Sequence, residues 1–366
     1  MTRVPRRAGF SLVELLVVIA IIIILMALAL IVVTRVWNKV DDSRTVTEIS
    51  AMGEKFQLFK QTFGAYPPSR LLLCENGAQY NVIVTTGTPA QQQLALQSIE
   101  FLTKIFPGIS LTAPVGRLSN NNPIQGIGHD WAGRFEQGGN GSWPPVGNGF
   151  FPGVVPVGAI NVTNYILEGE EILVYMLGGM RYGVLDPTDP NSVSTRSAPR
   201  GFSTNKVTPC AMPPVNGPSQ RLGPFFEFAE DRIVYSSYNP ARGLPAYNAV
   251  AGGSLSATGV GYFPVYNDRF GTPFAFFAAR GGTQNNYIGT DCLALVGPGF
   301  VPYFQSQSAA ATVFHKSDTF QIVSAGRDRL FGSGGRFDPT NPEQFLTNSA
   351  DYDNVSNVSN GTIVPK

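Results

Sequence analysis

Residues 15–33 are nineteen consecutive apolar residues, and no other stretch limits so strongly what this chain can become. At about 1.5 Å rise per residue a helix over them is roughly 28 Å long, close to the ~30 Å hydrocarbon core of a bilayer. Leu, Ile and Val dominate the run, so insertion gains roughly 0.3–0.6 kcal/mol for each of them. The one carboxylate at its edge, Glu14, costs about 3 kcal/mol, so insertion wins with the charge included. Arg3, Arg6 and Arg7 precede the run with no acidic residue among them. That bias predicts a cytoplasmic N-terminus and a single pass through the inner membrane, with everything after the span in the periplasm or outside. Arg35, Trp37 and Lys39 then mark the far interface.

Three readings of the span compete. A cleaved secretory signal needs a small-residue processing site, and Ala27-Leu28-Ala29 offers one. Residues 30–33 are as apolar as what comes before, which makes that site a poor one. A plain signal anchor explains the span but not Glu14 in its first turn, where an unpaired charge is costly. The third reading starts from Gly9-Phe10-Ser11-Leu12-Val13-Glu14 directly ahead of the apolar run. This hexapeptide resembles the prepilin signature of type IV pilins and type II secretion pseudopilins. The resemblance implies that residues 1–9 are a leader, that prepilin peptidase cuts between Gly9 and Phe10, and that the new amino group of Phe10 is methylated. It also implies that Glu14 meets the N-terminal amine of a neighbouring pilin as subunits leave the membrane for a helical filament on an inner-membrane assembly platform. Charge energetics agree, because a buried carboxylate becomes tolerable when a cation arrives beside it. A second Gly201-Phe202-Ser203 has no apolar run behind it and is a chance echo.

Beyond the span, residues 34–63 contain no proline, and Ile49, Met52, Phe56, Phe59 and Phe63 recur at 3-4-3-4 spacing. This is one apolar face of an amphipathic helix. Asp41, Asp42, Arg44, Glu48, Glu54, Lys55 and Lys60 fill much of the rest, and Gly64 with Pro67-Pro68 supplies the stop. The prediction is one helix with a transmembrane half over 10–33 and an amphipathic half over 34–63. Three Phe on the stripe suit packing on a sheet better than a narrow coiled-coil seam. Phe63-Gly64-Ala65-Tyr66-Pro67-Pro68 again resembles pseudopilins, where a Tyr-Pro step follows the long helix. The chain departs from many relatives in having no proline in the membrane half.

The remaining 64–366 is expected to form one globular domain. Hydrophobic residues make up 43% of the chain, enough for a core, while 40 Gly and 28 Pro among 366 residues indicate many turns. A net charge of +1 with no basic cluster argues against a nucleic-acid partner. Helices are predicted over 89–106 and 170–177, an apolar segment at 82–84, and short strands at 233–235, 274–278 and 319–323. Stretches 120–156 and 187–217 are rich in Gly, Pro, Asn, Ser and Thr and read as irregular insertions. The fold class is therefore α+β: a long N-terminal helix packed on an antiparallel sheet with large loop insertions, pilin-like by resemblance.

Catalytic chemistry finds no frame. The two histidines, His129 and His315, have no second ligand at metal spacing, and neither a nucleophile elbow nor a phosphate loop occurs. Gly332-Ser333-Gly334-Gly335 is only a flexible turn, so the reading is not an enzyme. Cys74, Cys210 and Cys292 permit one disulfide outside the cytoplasm, with the pair left open. Asn267-Asp268-Arg269-Phe270-Gly271-Thr272-Pro273-Phe274 is similar to the turn before a strand in major pseudopilins, and equally to a generic Asp-Gly-Pro turn. Glu171-Ile172-Leu173-Val174-Tyr175-Met176-Leu177-Gly178-Gly179 resembles a segment of large pilin-like proteins and reads as core packing.

Ser324-Ala325-Gly326-Arg327-Asp328 and Asp351-Tyr352-Asp353-Asn354-Val355-Ser356-Asn357 resemble two elements of calcium-binding major pseudopilins. The resemblance implies a structural Ca2+ held by Asp328, Asp351, Asp353 and Asn354, since calcium takes six to eight oxygens from a flexible loop. The competing reading is a solvated acidic loop, with Arg327 and Arg329 competing for Asp328 and an unstructured Asn-Val-Ser repeat beyond. The functional expectation is a structural subunit of a type II secretion pseudopilus or a type IV pilus-like filament. The alternative is a membrane-anchored adhesin or other extracellular binding protein exported by the same signal.

Overall fold

A computed structural model of the chain describes residues 12–74, 77–109, 111, 129, 131, 164–180, 199–207, 209–210, 221–234, 263–279, 287–308, 311–341, 345 and 349–359. The side chains of 27–39, 78 and 294 fall outside this description, as do Gly9, Phe10 and nearly all of the stretch 120–156. The fold is α+β: an N-terminal helix, shorter helices and small sheets. The chain divides into two compact units, Met1–Arg44 and Thr45–Lys366.

The first unit holds most of helix α1, which runs over Leu12–Phe63. Every described apolar side chain between Leu12 and Met26 is exposed, from 43% at Val18 to 78% at Leu12. Among the described residues no helix is long and apolar enough to cross a membrane.

In the second unit the end of α1 turns its apolar stripe inward. Ile49, Met52, Phe56, Phe59 and Phe63 are all buried. Phe56 stacks on Phe276 at 4.6 Å and tilts against Phe320 at 5.1 Å. Those two rings belong to β7 (Ala275–Ala278) and β10 (Phe320–Ser324). With β12 (Val355–Ser356) they form an antiparallel sheet in the order β12-β10-β7. All five β10 residues are buried, which fits the middle strand of a sheet covered on both faces.

One antiparallel sheet was the expectation, and five small sheets are found among the described residues. The pairs β1 (Leu71–Cys74) with β2 (Asn164–Leu167), β3 (Phe202–Ser203) with β4 (Arg221–Leu222), and β5 (Ile233–Val234) with β6 (Val265–Tyr266) are two-stranded. In the fifth, β8 (Val301–Gln307) pairs antiparallel with β9 (Thr312–Phe314) and parallel with β11 (Gly334–Arg336). The reason is strand length. Most of the described strands have only two to four residues, too short for a wide ladder.

Helix α2 (Ala78–Thr86) takes in the segment 82–84, which the sequence marked only as apolar. Its β-branched residues lower helix propensity, but Tyr80 and Ile83 are buried against the core, and packing decides. Helix α3 (Pro89–Ile105) opens with a capping box between Thr88 and Gln91 and a proline in its first turn. Helix α4 (Gly169–Gly178) has all ten residues buried. The stretch 187–217, expected to be irregular, contains β3 and the fully buried Phe202. The tail, for which an unstructured repeat was the competing reading, supplies β12. There Asn357 donates from Nδ2 to Phe320 O at 3.0 Å and accepts the Ile322 N–H at 2.9 Å, extending the ladder with a side chain.

Candidate functional site

The carboxylates singled out near the end of the chain sit where two loops meet. Gly326 follows β10 with φ +69°, and a Cβ there would lie 2.3 Å from the Asp353 carbonyl oxygen. Only glycine permits that approach, and it lets Asp353 Oδ2 accept the N–H groups of Arg327 at 2.7 Å and Asp328 at 3.1 Å. Gly332 repeats the device, since a Cβ on it would lie 2.3 Å from Asp351 Oδ2. Asp351 accepts the N–H of Ser333 at 3.0 Å and of Gly334 at 2.8 Å, with the Ser333 hydroxyl at 3.3 Å. Tyr303 Oη donates to the same carboxylate at 3.4 Å. Burial pushes the Asp351 carboxyl above its usual range, and the amides act against that shift.

Asp328 turns its own Oδ1 to the Leu330 N–H at 2.7 Å. Asn354 Nδ2 donates to Tyr303 Oη and to Phe331 O, both at 2.9 Å. Its Oδ1 is buried without a hydrogen-bond partner. Asp351 and Asn354 thus come together, while Asp353 serves the backbone at Asp328. Calcium needs the lone pairs of six to eight oxygens aimed at one point. Here the carboxylate of Asp351 and Oδ2 of Asp353 meet N–H and O–H donors. Among the described residues no group of three or more His, Cys, Asp or Glu is placed to hold a metal.

A second buried carboxylate links two stretches that the sequence singled out separately. Asp268 Oδ1 accepts the N–H groups of Phe270 and Thr272, each at 2.9 Å, and Gly271 takes φ +88° to close the turn. Asp268 Oδ2 accepts the Ser324 hydroxyl at 2.6 Å, tying this turn to the end of β10. Burial is the first cause raising the Asp268 pKa, and the Ser324 hydroxyl opposes it.

Four further acids are buried without the sequence having marked them as such: Glu168, Glu170, Glu171 and Asp291, each at most 7% exposed. Glu168 and Glu171 form a capping box at the start of α4, which uses carboxylates on the amides of a helix N-terminus. Asp291 accepts the Ser69 hydroxyl at 2.7 Å. Burial drives the Glu171 pKa well up, helped by the Glu170 charge. The one local signal was three glutamates against a long apolar run, a pattern common to any helix start.

At the other end, Glu14 lies in the first turn of α1 and is exposed. A carboxylate there complements the positive end of the helix dipole. Residues 4–30 match the family model of the prokaryotic N-terminal methylation motif. The chain therefore carries a prepilin-type signal of the type IV pilin kind, which implies processing by prepilin peptidase and assembly with pilins. The match takes in Gly9, Phe10 and Glu14 and nothing beyond Leu30. No curated protein and no solved structure is significantly similar to the chain.

Proposed function

We propose that this chain is a structural, non-catalytic subunit of a pilus-like filament, of the type II secretion pseudopilus or type IV pilus kind. The observation that carries the reading is the apolar surface of α1 between Leu12 and Met26, where every large apolar side chain is exposed. A surface of that size is not left in water by a stable monomer. Lipid covers it before assembly, and the same helices of neighbouring subunits cover it afterwards. The methylation motif over 4–30 supports this sequence of events.

Each residue of the motif then has a task. Prepilin peptidase cuts the Gly9–Phe10 bond, which creates an amine at Phe10 that is methylated and stays cationic. Glu14 is four residues further on and pairs with the amine of the next subunit. The pair forms where water is excluded, so its absence is far costlier than at a surface. The domain from Thr45 onward is cargo on this helix, displayed in the periplasm or outside.

The Glu14→Ala variant tests the proposal. Membrane insertion is expected to stay at the wild-type level while filament incorporation falls at least tenfold, read by shearing and immunoblot. Normal incorporation would overturn the pairing step, and a membrane-bound protein that never enters filaments in the wild type would favour an anchored binding protein. Structural calcium held by Asp328, Asp351, Asp353 and Asn354 is a separate proposal. A chelator that lowers the Tm of the purified chain would establish it, and an unchanged Tm would leave the amides as the whole explanation.

A further inference from the structure

Residues 351–359 lie beside β10 and are joined to the domain largely by side chains. Backbone N–H groups from separate stretches of the chain point at this one segment. Arg327 and Asp328 donate to Asp353 Oδ2, Ser333 and Gly334 to the Asp351 carboxylate, and Ile322 to Asn357 Oδ1. Asn357 Nδ2 returns a bond to the Phe320 carbonyl, and Asn354 Nδ2 donates to the Phe331 carbonyl. Regular ladder pairing is confined to β12, where Val355 and Ser356 stand opposite Ser324 and Val323. The chain then turns off the ladder, with the Val358 N–H on the Ser356 hydroxyl at 3.4 Å and the Ser359 N–H on the Ser356 carbonyl at 3.3 Å. The Asn357 amide supplies the donor and acceptor that further strand residues would have offered to Phe320 and Ile322.

Little apolar surface holds the segment down. Val355 is fully buried in the core, whereas Tyr352 and Val358 are only partly buried against it. The other buried side chains of the segment, Asp351, Asn354 and Ser356, are polar. When such a segment lifts, water replaces its hydrogen bonds, so each contributes only a small net amount to holding it closed. Asn354 Oδ1, buried without a hydrogen-bond partner, gains one in water. Few apolar contacts and many replaceable bonds make a region that opens at a smaller free energy than the core beneath it.

We propose that residues 351–359 form a strap that leaves and returns as one unit while the rest of the domain stays folded. Its contacts are coupled because one short backbone carries them all: the residues that clasp the loops after β10 also lead directly into β12 and Asn357. With the strap open, the Ile322 N–H and the Phe320 carbonyl lie on a bare edge of β10. Such an edge is the chemistry to which another strand adds, and the closed strap denies it. The N–H groups of Arg327, Asp328, Ser333 and Gly334 lose their carboxylates in the same event. The strap therefore ties the edge of the sheet and both glycine-containing loops to a single opening.

The test is hydrogen exchange of the purified full chain in detergent and EDTA, read amide by amide. The amides of Ile322, Arg327, Asp328, Ser333 and Gly334 should share one opening constant, at least about tenfold larger than that of the buried stretch of α1 from Ile49 to Phe63. Asn357→Ala removes two of the strap's bonds and should raise exchange in this whole set by about tenfold. The Phe270 and Thr272 amides, held by Asp268, should stay as they are. Asp353→Asn keeps the shape of the side chain but weakens the acceptor, and should raise the same set from the other part of the strap. A rise confined to Ile322 in the first variant, or to Arg327 and Asp328 in the second, would mean separate contacts and overturn the strap. A common rise that extends into α1 would overturn it too, because the segment would then open only with the whole domain. EDTA keeps calcium out of the result and detergent keeps the chain out of filaments, so this test and that of the Glu14 pairing can fail separately.

Discussion

Gly169 has no room for a methyl group. A Cβ on it would lie 1.8 Å from the Phe276 carbonyl oxygen and 2.4 Å from the Cys292 sulfur, at the first residue of a wholly buried helix. Because backbone is one of the obstacles, no side-chain rotation relieves the clash. Gly169→Ala is expected to cost about 3 kcal/mol, read as a fall in the urea midpoint. Asp268 is demanding for the opposite reason, since it is full of partners. Asp268→Ala removes the acceptor of two amides and of the Ser324 hydroxyl, and leaves those donors buried. The expected loss is again about 3 kcal/mol, by the same measurement. Ser324→Ala removes one of the three bonds and should cost less than half as much. An equal cost in both variants would mean that the turn itself depends on that hydroxyl.

Among the elements, α1 is fixed to the body by rings and by one ion pair. The Arg232 guanidinium pairs with the Glu48 carboxylate while lying 4.3 Å over the Tyr266 ring, and the Tyr266 hydroxyl donates to Glu48 at 2.7 Å. Both charged side chains are largely shielded from water, at 16% and 12% exposure. Arg232→Met alone leaves the carboxylate without its cation and should cost about 3–5 kcal/mol. Adding Glu48→Met should recover more than half of that, and a double variant no better than the single would show that the pair is not the tie. The stripe that carries this helix was plain in the sequence, because Ile49 to Phe63 repeats with the period of the backbone it lies on. Helix α3 was legible as well, from Pro89 at its start and Pro107-Gly108 after it. Strand β1 was not, since its four residues are buried on both faces and show no alternation. Helix α2 was hidden by β-branched residues that tertiary packing overrides. In the loops around Asp351 and Asp353 the carboxylates could be named from sequence, but their partners are backbone amides, which every residue except proline offers alike. Burial of Glu170, Glu171 and Asp291 was invisible for a related reason: an acid inside the core is spelled like an acid on the surface.

At the scale of the molecule, three buried carboxyls act on stability in one direction. Glu171, Asp268 and Asp351 all have folded pKa values above their ordinary ones, with burial as the first cause. Each binds its proton more tightly folded than unfolded. Their contribution is fully present below the unfolded values of 4.5 and 3.8, and is lost as the pH rises through the raised folded values. The Tm of the purified chain should therefore rise as the buffer goes from about pH 8 to about pH 5. Glu171→Gln should flatten that slope, and a Tm that climbs toward pH 8 would contradict the assignment. The position of β10 has a consequence of another kind. Its neighbours are residues 275–278, made before it, and residues 355–356, made after it. A chain synthesised from its N-terminus reaches Ser324 with one flank of that strand still unmade, and Asn357 must arrive before the backbone of Phe320 and Ile322 is satisfied. The signal over 4–30 emerges more than three hundred residues earlier than Asn357. Targeting can therefore begin long before the sheet can close.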